Sequence, residues 1–435
     1  MAGRLPPGTR LPTHRDLAWR LKVTVGTITR AYQEAERQGL IGGEVGRGTF
    51  VRDPQRGLDT PLDMIGGSLI DLSINSPALR PDAPVLRDAM IAAAARPDLP
   101  EIAGYQASLC PASLRTAGRA WISEMAALTV PEDQILLTAG GQGAIHAALA
   151  AVTRPGDTVL VEQLGYPGLR PLAAQLGLRL FPVPMDGHGL LPDAVEHLAR
   201  AHGAHTLYTM PTLQNPTTAT LPLERRTALV DIARRTGITL VEDDVHGFLA
   251  PRCLPTLAEL GPDVTIYLTS LSKSLFPGLR TGFAVPPRLL LDRMAAVLRA
   301  TLLTPIHLGV IVAAELITSG NAVRIAAQRR ELVKERQALA RDILGPGSLL
   351  SDPAASHLWL HLPEPWQRED FVQQTLLRGV RVTPADVFTV ARAEAPQAVR
   401  VCLGAVERRD ILEKGLGILA ELLAGPVAAT APALV

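Results

Sequence analysis

Short apolar runs rich in β-branched residues alternate with longer helical stretches through the middle of this 435-residue chain. The runs cover residues 135–138, 158–162, 206–210, 239–242 and 264–268, and segments rich in alanine, leucine and arginine lie between them. Strands that alternate with helices favour a parallel sheet covered by helices, with functional sites at the carboxyl ends of the strands. The alternation therefore predicts an α/β fold built on a large, parallel-rich sheet.

The pattern changes near residue 324, where one long amphipathic helix is predicted over residues 324–343. Strand-like segments follow at residues 357–362, 380–383 and 399–403 and predict a small α+β subdomain. We therefore expect a large domain over residues 67–320, a small C-terminal subdomain over 321–425 and an Ala/Pro-rich tail over 426–435.

The N-terminal part of the chain is organised differently, as two short helices and a hairpin. Thr13 can cap the first helix, and the second helix is predicted over residues 25–38. The apolar positions expected to face inward are Leu17, Ala18, Leu21, Ile28, Ala31, Tyr32 and Ala35. Strand-like segments at residues 40–43 and 47–51 predict a β-hairpin. This order is typical of a winged helix-turn-helix, here residues 1–52, followed by a linker at 53–66.

Charge is unevenly distributed along the chain. Residues 1–56 contain ten arginines and lysines against five acidic residues, although the net charge of the whole chain is only +1. A basic segment ahead of a mildly acidic body favours contact with nucleic acid at the N-terminal end.

Composition narrows the class of protein. A hydrophobic content of 47% with 20% charged residues fits a soluble globular chain. The three cysteines, Cys110, Cys253 and Cys402, are scattered, and their spacing predicts neither a disulfide framework nor a zinc site. The sequence has no signal-peptide pattern and no long unbroken apolar segment, so we expect a cytoplasmic protein with no membrane span and no metal.

One lysine is conspicuous because only four of the 43 basic residues are lysine. Lys273 lies between two serines, after the run 264–268 and before a Pro-Gly turn. Arginine stays protonated, whereas a buried lysine can lose its proton and attack a carbonyl. Ser270, Ser272 and Arg280 offer nearby hydroxyl and guanidinium donors suited to a phosphate. An isolated lysine is usually an exposed surface residue, so the interpretation depends on the other strand ends.

Small or polar residues follow the other runs in the same way. Gly141 and Gln142 follow the run 135–138, where small residues at a helix N-terminus let backbone N–H groups close on a phosphate. The remaining strand ends carry Tyr166, Asn215, Asp243 and His246. Asp243 is the middle member of three consecutive carboxylates, an arrangement that is costly unless one of them meets a cation.

In this order the segments resemble the motifs of fold-type I pyridoxal 5′-phosphate (PLP) enzymes, the aminotransferase family, over about residues 65–425. The resemblance implies PLP as cofactor and three catalytic residues. Lys273 would bond covalently to the cofactor, Asp243 would pair with its pyridine nitrogen, and Tyr166 would stack on its ring.

The resemblance also assigns the rest of the site. Asn215 would bond the cofactor's phenolic oxygen, and His246, where the family has tyrosine, is expected to donate the same bond with a charge that depends on pH. Thr218 stands where the family usually has glycine. Arg400, with Asn215, would bind the substrate carboxylate. The expected cofactor-binding residues are Tyr105, Gly141, Gln142, Tyr166, Asn215, Asp243, His246, Ser270, Ser272, Lys273 and Arg280. Tyr105 is expected to reach the phosphate of a neighbouring subunit, which implies a homodimer.

The N-terminal segments P-P-G-T-R-L-P-T-H-R-D-L-A, T-V-G-T-I-T-R-A-Y and G-R-G-T-F-V resemble the GntR family of bacterial regulators. The resemblance implies that the second helix enters the major groove and the wing touches the DNA backbone. The matching positions are Arg15, Thr24, Gly26, Thr27, Thr29, Arg30, Arg47 and Gly48. Members of the family normally have one more helix before these segments, so we expect that helix to be missing or the true start to lie upstream of Met1.

The combination resembles the MocR subgroup of GntR regulators and leaves three functions open. The first is a DNA-binding regulator that senses an amino acid or amine through the aminotransferase-like domain and PLP. The second is an active aminotransferase with a vestigial DNA-binding remnant, and the third is a non-catalytic PLP-binding protein with no role at DNA. The sequence therefore leaves open whether the chain is an enzyme.

Overall fold

Two units make up the chain in the computed structural model, Met1–Ser68 and Leu69–Val435. The structure describes residues 9, 11–37, 41–44, 48–51, 69–77, 83–102, 104, 111–251, 254–303, 307–345, 349–390 and 395–425. The expected linker at 53–66 and the expected tail at 426–435 lie outside the described residues.

The N-terminal unit contains two helices and a hairpin, α1 (His14–Leu21), α2 (Val25–Arg37), β1 (Ile41–Glu44) and β2 (Gly48–Val51), with the two strands antiparallel. Thr13 caps α1, since its hydroxyl accepts from the Asp16 amide at 3.2 Å. Its small core contains Ala18, Ile28 and Tyr32. This confirms the predicted winged helix-turn-helix order.

Two of the inward-facing assignments in this unit are wrong. Leu21 is 59% exposed, because it is the last residue of α1 and the chain turns away at Lys22, which has a left-handed backbone. Ala31 is also exposed. The buried stripe of α2 follows the i, i+4 pair Ile28 and Tyr32, and Ala31 lies beside this stripe.

A seven-stranded sheet forms the centre of the second unit, as the alternating pattern predicts. Its order is β4-β12-β11-β10-β9-β5-β6. The strands are β4 (Leu136–Thr138), β5 (Thr158–Glu162), β6 (Arg179–Val183), β9 (Thr206–Thr209), β10 (Thr239–Asp243), β11 (Thr265–Ser270) and β12 (Gly282–Val285). β12 runs antiparallel to both of its neighbours, and the other neighbouring pairs are parallel. A small hairpin, β7 (Met185–Asp186) with β8 (Gly189–Leu190), lies outside it.

Helices cover the sheet, and strand residues are buried in alternating clusters. Within β10, Leu240 and Val241 belong to different hydrophobic clusters, as expected for a sheet packed on both faces. The helices are α3 (Ala83–Ala94), α4 (Leu99–Ile102), α5 (Ala112–Ala126), α6 (Gly140–Val152), α7 (Leu169–Gln175), α8 (Pro192–His202), α9 (Leu223–Thr236), α10 (Leu257–Leu260), α11 (Leu271–Ser274), α12 (Leu291–Leu302), α13 (His307–Thr318) and α14 (Asn321–Leu344).

The C-terminal part contains a four-stranded sheet of order β13-β14-β17-β16, which fits the α+β pattern expected there. Its elements are β13 (Leu349–Leu350), β14 (His357–His361), α15 (Arg368–Leu377), β15 (Val380–Arg381), β16 (Thr383–Pro384), β17 (Ala398–Cys402) and α16 (Arg409–Ala424). The strand β3 (Ile70–Asp71) pairs with β15 and packs into the core of this part, although it lies in the range expected for the large domain. The sequence pattern did not indicate this return of the chain.

Within the described residues, no single helix is long and apolar enough to cross a membrane, although one pair bent by 81°, Leu308–Thr318 with Asn321–Leu344, meets that test of length and composition.

Candidate functional site

The carboxyl ends of the sheet strands open into a cavity of about 450 Å³. Its lining contains every cofactor- and substrate-binding residue predicted from the sequence that the structure describes; Tyr105 lies outside the described residues. Its other lining residues are Ile74, Asn75, Ile145, Pro167, Gly168, Met210 and Val245. The fold therefore brings together residues that are more than 250 positions apart in the chain.

Lys273 lies on α11, directly after the buried strand β11. The Ser270 hydroxyl caps this short helix by accepting from the Ser272 amide at 3.2 Å. The Nζ of Lys273 donates to the main-chain carbonyl of Asn75. Burial removes water from the ammonium and lowers the pKa of Lys273 below its ordinary value, so the amine loses its proton more easily than a surface lysine.

Asp243 ends β10, and only one of its two carboxylate oxygens has a partner among the described residues. Its Oδ2 accepts from the Tyr208 hydroxyl at 2.6 Å, whereas Oδ1 is buried without a hydrogen bond. Burial raises the pKa of Asp243 to about 6, although the Tyr208 bond and the charge of Lys273 act in the opposite direction. A buried carboxylate oxygen without a donor fits a protonated ring nitrogen.

The carboxylates on either side of Asp243 have hydrogen-bond donors of their own outside the cavity, which explains how three consecutive acidic residues are accommodated. Glu242 accepts from the amides of Leu257 and Ala258, each at 2.9 Å. Asp244 accepts from the Tyr267 hydroxyl at 2.8 Å, and burial raises its pKa to about 8. Neither Glu242 nor Asp244 lines the cavity.

The N-terminus of α6 forms the anion-binding end of the cavity. Gly140 has φ +72°, and a Cβ at this position would lie 2.9 Å from Nη2 of Arg280. Arg280 itself has φ +48°, and its Nη2 donates to the Ala139 carbonyl at 3.1 Å. The hydroxyls of Ser270 and Ser272 lie 3.2 Å apart at the same end. Free helix amides, a guanidinium and two hydroxyls are a donor set that suits a phosphate.

Tyr166 lines the cavity, and a hydrogen bond to Gln142 fixes its hydroxyl. It donates to Oε1 of Gln142 at 2.9 Å, and Nε2 of Gln142 donates to the Gly168 carbonyl at 3.0 Å. The ring is therefore fixed at the wall, as a stacking surface requires.

Arg400 lies on β17 and is only 7% exposed. Its Nη1 donates to Oδ1 of Asn215 at 2.8 Å and its Nη2 to the Ser73 carbonyl at 2.7 Å, while the Phe388 ring lies 4.8 Å from its Cζ. None of the described carboxylates forms an ion pair with it, and its Nε is buried without a partner among the described residues. A buried guanidinium that meets only neutral acceptors fits an anionic ligand such as a carboxylate.

His246 lines the cavity, but its expected behaviour is wrong. Burial lowers its pKa to about 3, so its charge does not change near neutral pH. Its Nδ1 lies 3.1 Å from the Leu213 carbonyl, which can only accept, and therefore carries the ring proton. Its Nε2, which lies 3.4 Å from Nδ2 of Asn75, is then an acceptor and cannot donate to a phenolic oxygen.

The residues predicted to contact DNA lie in the N-terminal unit. Those exposed there are Arg15, Thr24, Gly26, Thr27 and Arg30. Thr29 is half-buried instead, because its hydroxyl donates to the Val25 carbonyl at 3.0 Å and lies 3.2 Å from Nδ1 of His14. Gly48 begins β2 opposite Glu44, and Arg47 lies outside the described residues.

The sequence did not indicate Asn75, which lines the cavity, or Tyr208 and Gly140, which lie next to the lining residues Asp243 and Arg280. Tyr208 could be suspected only once β9 is known to pair with β10, since Tyr208 lies opposite Val241 in that register. Asn75 is separated from Lys273 by 198 positions, and no motif marks it. Gly140 stands beside the predicted Gly141, but its positive φ is visible only in the structure.

Among the described residues, no group of three or more histidines, cysteines or acids is placed to hold a metal ion. Cys402 is a free, buried cysteine on β17, and Cys110 and Cys253 lie outside the described residues.

Two protein families match the chain. Residues 68–416 match the family described as aminotransferase class I and II, and residues 1–51 match the bacterial regulatory proteins of the gntR family.

Individual relatives resemble it over most of its length. An uncharacterized HTH-type transcriptional regulator, YdeF of Bacillus subtilis, is 30% identical over 97% of this chain and 91% of the relative. The HTH-type pyridoxine biosynthesis regulator PdxR of Corynebacterium glutamicum is 31% identical over 88% and 84%. The solved structure of LysN, an α-aminoadipate aminotransferase of Thermus thermophilus complexed with N-(5′-phosphopyridoxyl)-L-leucine, matches with 27% identity and a TM-score of 0.70 over 82% of this chain and 92% of that one.

Proposed function

Because this chain belongs to the aminotransferase class I and II family and carries the gntR-type domain of the MocR subgroup of GntR regulators, we propose that it is a PLP-dependent, DNA-binding transcriptional regulator. In this proposal the aminotransferase-like domain senses an amino acid or amine, and the N-terminal unit binds operator DNA.

The observation that carries the proposal is the cavity itself. It joins a half-buried lysine amine, a buried carboxylate oxygen without a donor among the described residues and a buried arginine without a carboxylate partner there, all on a chain that also carries a helix-turn-helix. Each of these groups is unfavourable where it lies unless a ligand meets it. PLP with an amino acid supplies a phosphate, a ring nitrogen, an aldehyde and a carboxylate. These correspond in turn to the donors at the N-terminus of α6, to Asp243, to Lys273 and to Arg400.

Each residue then has a defined task. When bound, PLP supplies an aldehyde that bonds amines and a ring that withdraws electrons from them. The α6 amides and the Arg280 guanidinium would bind its phosphate, and Asp243 Oδ1 would accept a hydrogen bond from its protonated ring nitrogen. Lys273 would present an amine whose lowered pKa favours the neutral form that bonds a carbonyl, and a ligand amine could take its place.

Arg400 supplies the contact that differs between the free and the ligand-bound protein. In the free protein its two Nη atoms donate to Asn215 and to the Ser73 carbonyl. A ligand carboxylate would take over these donors, and this exchange can shift a conformational equilibrium because it occurs only with ligand. Ser73 belongs to the first described stretch of the second unit, the stretch that follows the N-terminal unit in the chain. We further propose a homodimer that presents two DNA-binding units to two half-sites.

The experiment uses the full chain, PLP, a panel of amino acids and a fluorescent duplex from the intergenic DNA beside its own gene. We expect a visible absorbance band with PLP that Lys273→Ala abolishes and the exposed-site control Lys334→Ala keeps. We expect duplex affinity to change with at least one amino acid. Arg30→Ala should weaken duplex binding and reduce its salt dependence by about one phosphate contact, with the absorbance band unchanged.

The DNA-binding part and the cofactor-binding part of the proposal are contradicted by different results. A chain that binds PLP but no duplex at any salt concentration overturns the regulator, and a Lys273→Ala chain that keeps the lysine-dependent band overturns the cofactor site.

The second function, an active aminotransferase, is favoured by the place of Lys273, which lines the cavity with Asp243 and Arg400 and whose pKa is lowered by burial, as suits a group that accepts and returns a proton. It is tested by adding an amino acid and then a keto acid. A band that is lost with the amino acid and restored by the keto acid, with release of the matching keto acid, supports turnover.

A further inference from the structure

Two buried arginines lie on one face of the long helix α14. Arg329 and Arg336 are seven residues apart, which is about two helical turns. They are only 2% and 5% exposed. In the described part of the chain both donate to main-chain carbonyls and neither forms an ion pair with a carboxylate.

Arg329 holds the turn that carries Lys273. Its Nη1 donates to the carbonyl of Lys273 itself at 2.9 Å, and its Nη2 donates to the carbonyl of Leu275. These carbonyls lie at the end of the four-residue helix α11, where carbonyl groups have no partner within the helix. The planar guanidinium supplies two donors in a fixed fork, which an ammonium cannot do.

Arg336 holds a different turn in the same way. Its Nη1 donates to the carbonyls of Leu403 and Val406, and its Nη2 donates to that of Glu407 at 2.9 Å. This turn follows β17, the strand that carries Arg400. The two arginines therefore hold the turns next to two of the three cationic residues of the cavity, Arg329 the turn at Lys273 and Arg336 the turn after the strand of Arg400.

Burial of Arg329 is unfavourable by itself. Loss of water lowers its pKa to about 10, and its Nε is buried without a partner among the described residues. A small cavity of about 20 Å³ is lined by Arg329 together with Lys273, Asn75 and His246. Arg329 therefore contacts Lys273 through the main chain, and it does not line the cavity of about 450 Å³.

We propose that Arg329 is a positioning residue for Lys273: by fixing the carbonyls of Lys273 and Leu275, it keeps the Nζ of Lys273 at the cavity wall, bonded to the Asn75 carbonyl. The proposal rests on the proposed function only for the role of Lys273 as the cofactor lysine. It does not depend on DNA binding.

The test uses the scarcity of lysine. The four lysines are Lys22, Lys273, Lys334 and Lys414, so acetic anhydride labelling of the full chain followed by peptide mass spectrometry gives the reactivity of each amine against pH. Lys334 and Lys414 are exposed and serve as internal standards.

The charged groups that act on Lys273 are known from the structure. Asp243 and Cys402 raise the pKa of Lys273, and Arg400 and Arg280 lower it, but loss of water is the largest cause of its lowered pKa. His246 is neutral and does not titrate near pH 7. If the turn loosens, water reaches the amine and the labelling midpoint of Lys273 moves to higher pH.

Arg329→Lys is the informative variant, and Arg336→Lys is its matched control on the same helix. For Arg329→Lys we expect the midpoint of Lys273 to rise by about one pH unit, so that labelling below the midpoint is about tenfold slower. PLP capture, followed by visible absorbance after mixing, should slow by about the same factor. Arg336→Lys should leave the Lys273 midpoint in place and instead weaken the binding of amino acids to the PLP-loaded chain.

Three results would overturn the proposal. The first is an unchanged labelling midpoint of Lys273 in Arg329→Lys. The second is an equal shift of that midpoint in Arg329→Lys and Arg336→Lys, which would show general loosening of the fold. The third is a shift of the Lys334 or Lys414 midpoint by the same amount. If thermal unfolding shows that Arg329→Lys does not fold, Arg329→Gln, which keeps one donor for a carbonyl, is judged by the same midpoint. A wild-type chain that captures no PLP contradicts the proposed function but leaves the labelling result valid.

Discussion

Asp243→Asn should stabilise the cofactor-free chain at neutral and basic pH while it removes PLP binding. The carboxylate is buried, one of its oxygens has no donor among the described residues, and its pKa is raised from 3.8 to about 6. Holding the ionised form inside the protein therefore costs free energy that the neutral amide does not. Asparagine has nearly the same shape and still accepts from the Tyr208 hydroxyl.

The size of the effect follows from the pKa change. The raised pKa of Asp243 contributes stability that is fully present below pH 3.8 and is lost as the pH rises through about 6. A shift from 3.8 to about 6 corresponds to about 3 kcal/mol, at about 1.4 kcal/mol per pKa unit. With an unfolding entropy of roughly 2 cal/mol/K per residue over the unit Leu69–Val435, this predicts a Tm about 4 °C higher for the variant at pH 8.

The assay is thermal unfolding of both cofactor-free proteins from pH 4 to pH 8. The difference in Tm should be near zero at pH 4 and grow to its full value above pH 6. Asp263→Asn is the control, because Arg234 lowers the pKa of Asp263 and its removal should not stabilise the chain at any pH. A Tm difference for Asp243→Asn that stays constant with pH, or that favours the wild type at pH 8, would show that the ionised Asp243 carboxylate does not destabilise the chain.

Two further substitutions test other parts of the cavity. Gly140→Ala forces an L-residue into φ +72° and places its Cβ 2.9 Å from Arg280, so we expect PLP affinity to fall roughly tenfold, while Gly278→Ala, whose Cβ meets nothing within 4 Å, should be neutral in the same absorbance titration. Tyr208→Phe removes the donor to Asp243, so the pKa of Asp243 should rise further and the pH below which PLP affinity falls should move up by about one unit, measured by titration from pH 5 to pH 9.

The sequence was sufficient for the parts of the fold that are local. The runs that became β4, β5, β9, β10 and β11 are β-branched and bounded by turn signals, and the residue directly after a parallel strand must lie at the sheet edge. Lys273, Asp243 and Asn215 were predictable for this reason. Thr218, where glycine was expected, has a left-handed backbone at φ +63°, a conformation that glycine adopts more readily than threonine.

Contacts between distant parts of the chain were not predictable, because no periodicity records them. Asn75 reaches Lys273, and β3 pairs with β15 across more than 300 positions. The protonation state of His246 was also not predictable. The sequence shows neither its burial, which keeps the ring neutral, nor the Leu213 carbonyl, which holds the ring proton on Nδ1. Buried arginines such as Arg329 are hidden in a chain where nearly all basic residues are arginine.

The free-energy cost of burying charged groups in the cavity bears on the choice between a sensor and an enzyme. A domain kept only as a scaffold would be more stable without the ionised Asp243, by about 3 kcal/mol at pH 8, and without the buried Arg400, so their presence in one cavity argues for a ligand that meets both. That argument supports binding and applies equally to a sensor and to an enzyme. The difference between them must therefore lie after binding, in whether Lys273 moves a proton, and His246 gives no help there because its only exchangeable ring proton is held by the Leu213 carbonyl. A site that binds its ligand strongly, and in which Lys273 transfers protons slowly, would suit a sensor. The ligand would then stay bound long enough for the ligand-bound conformation to change DNA binding.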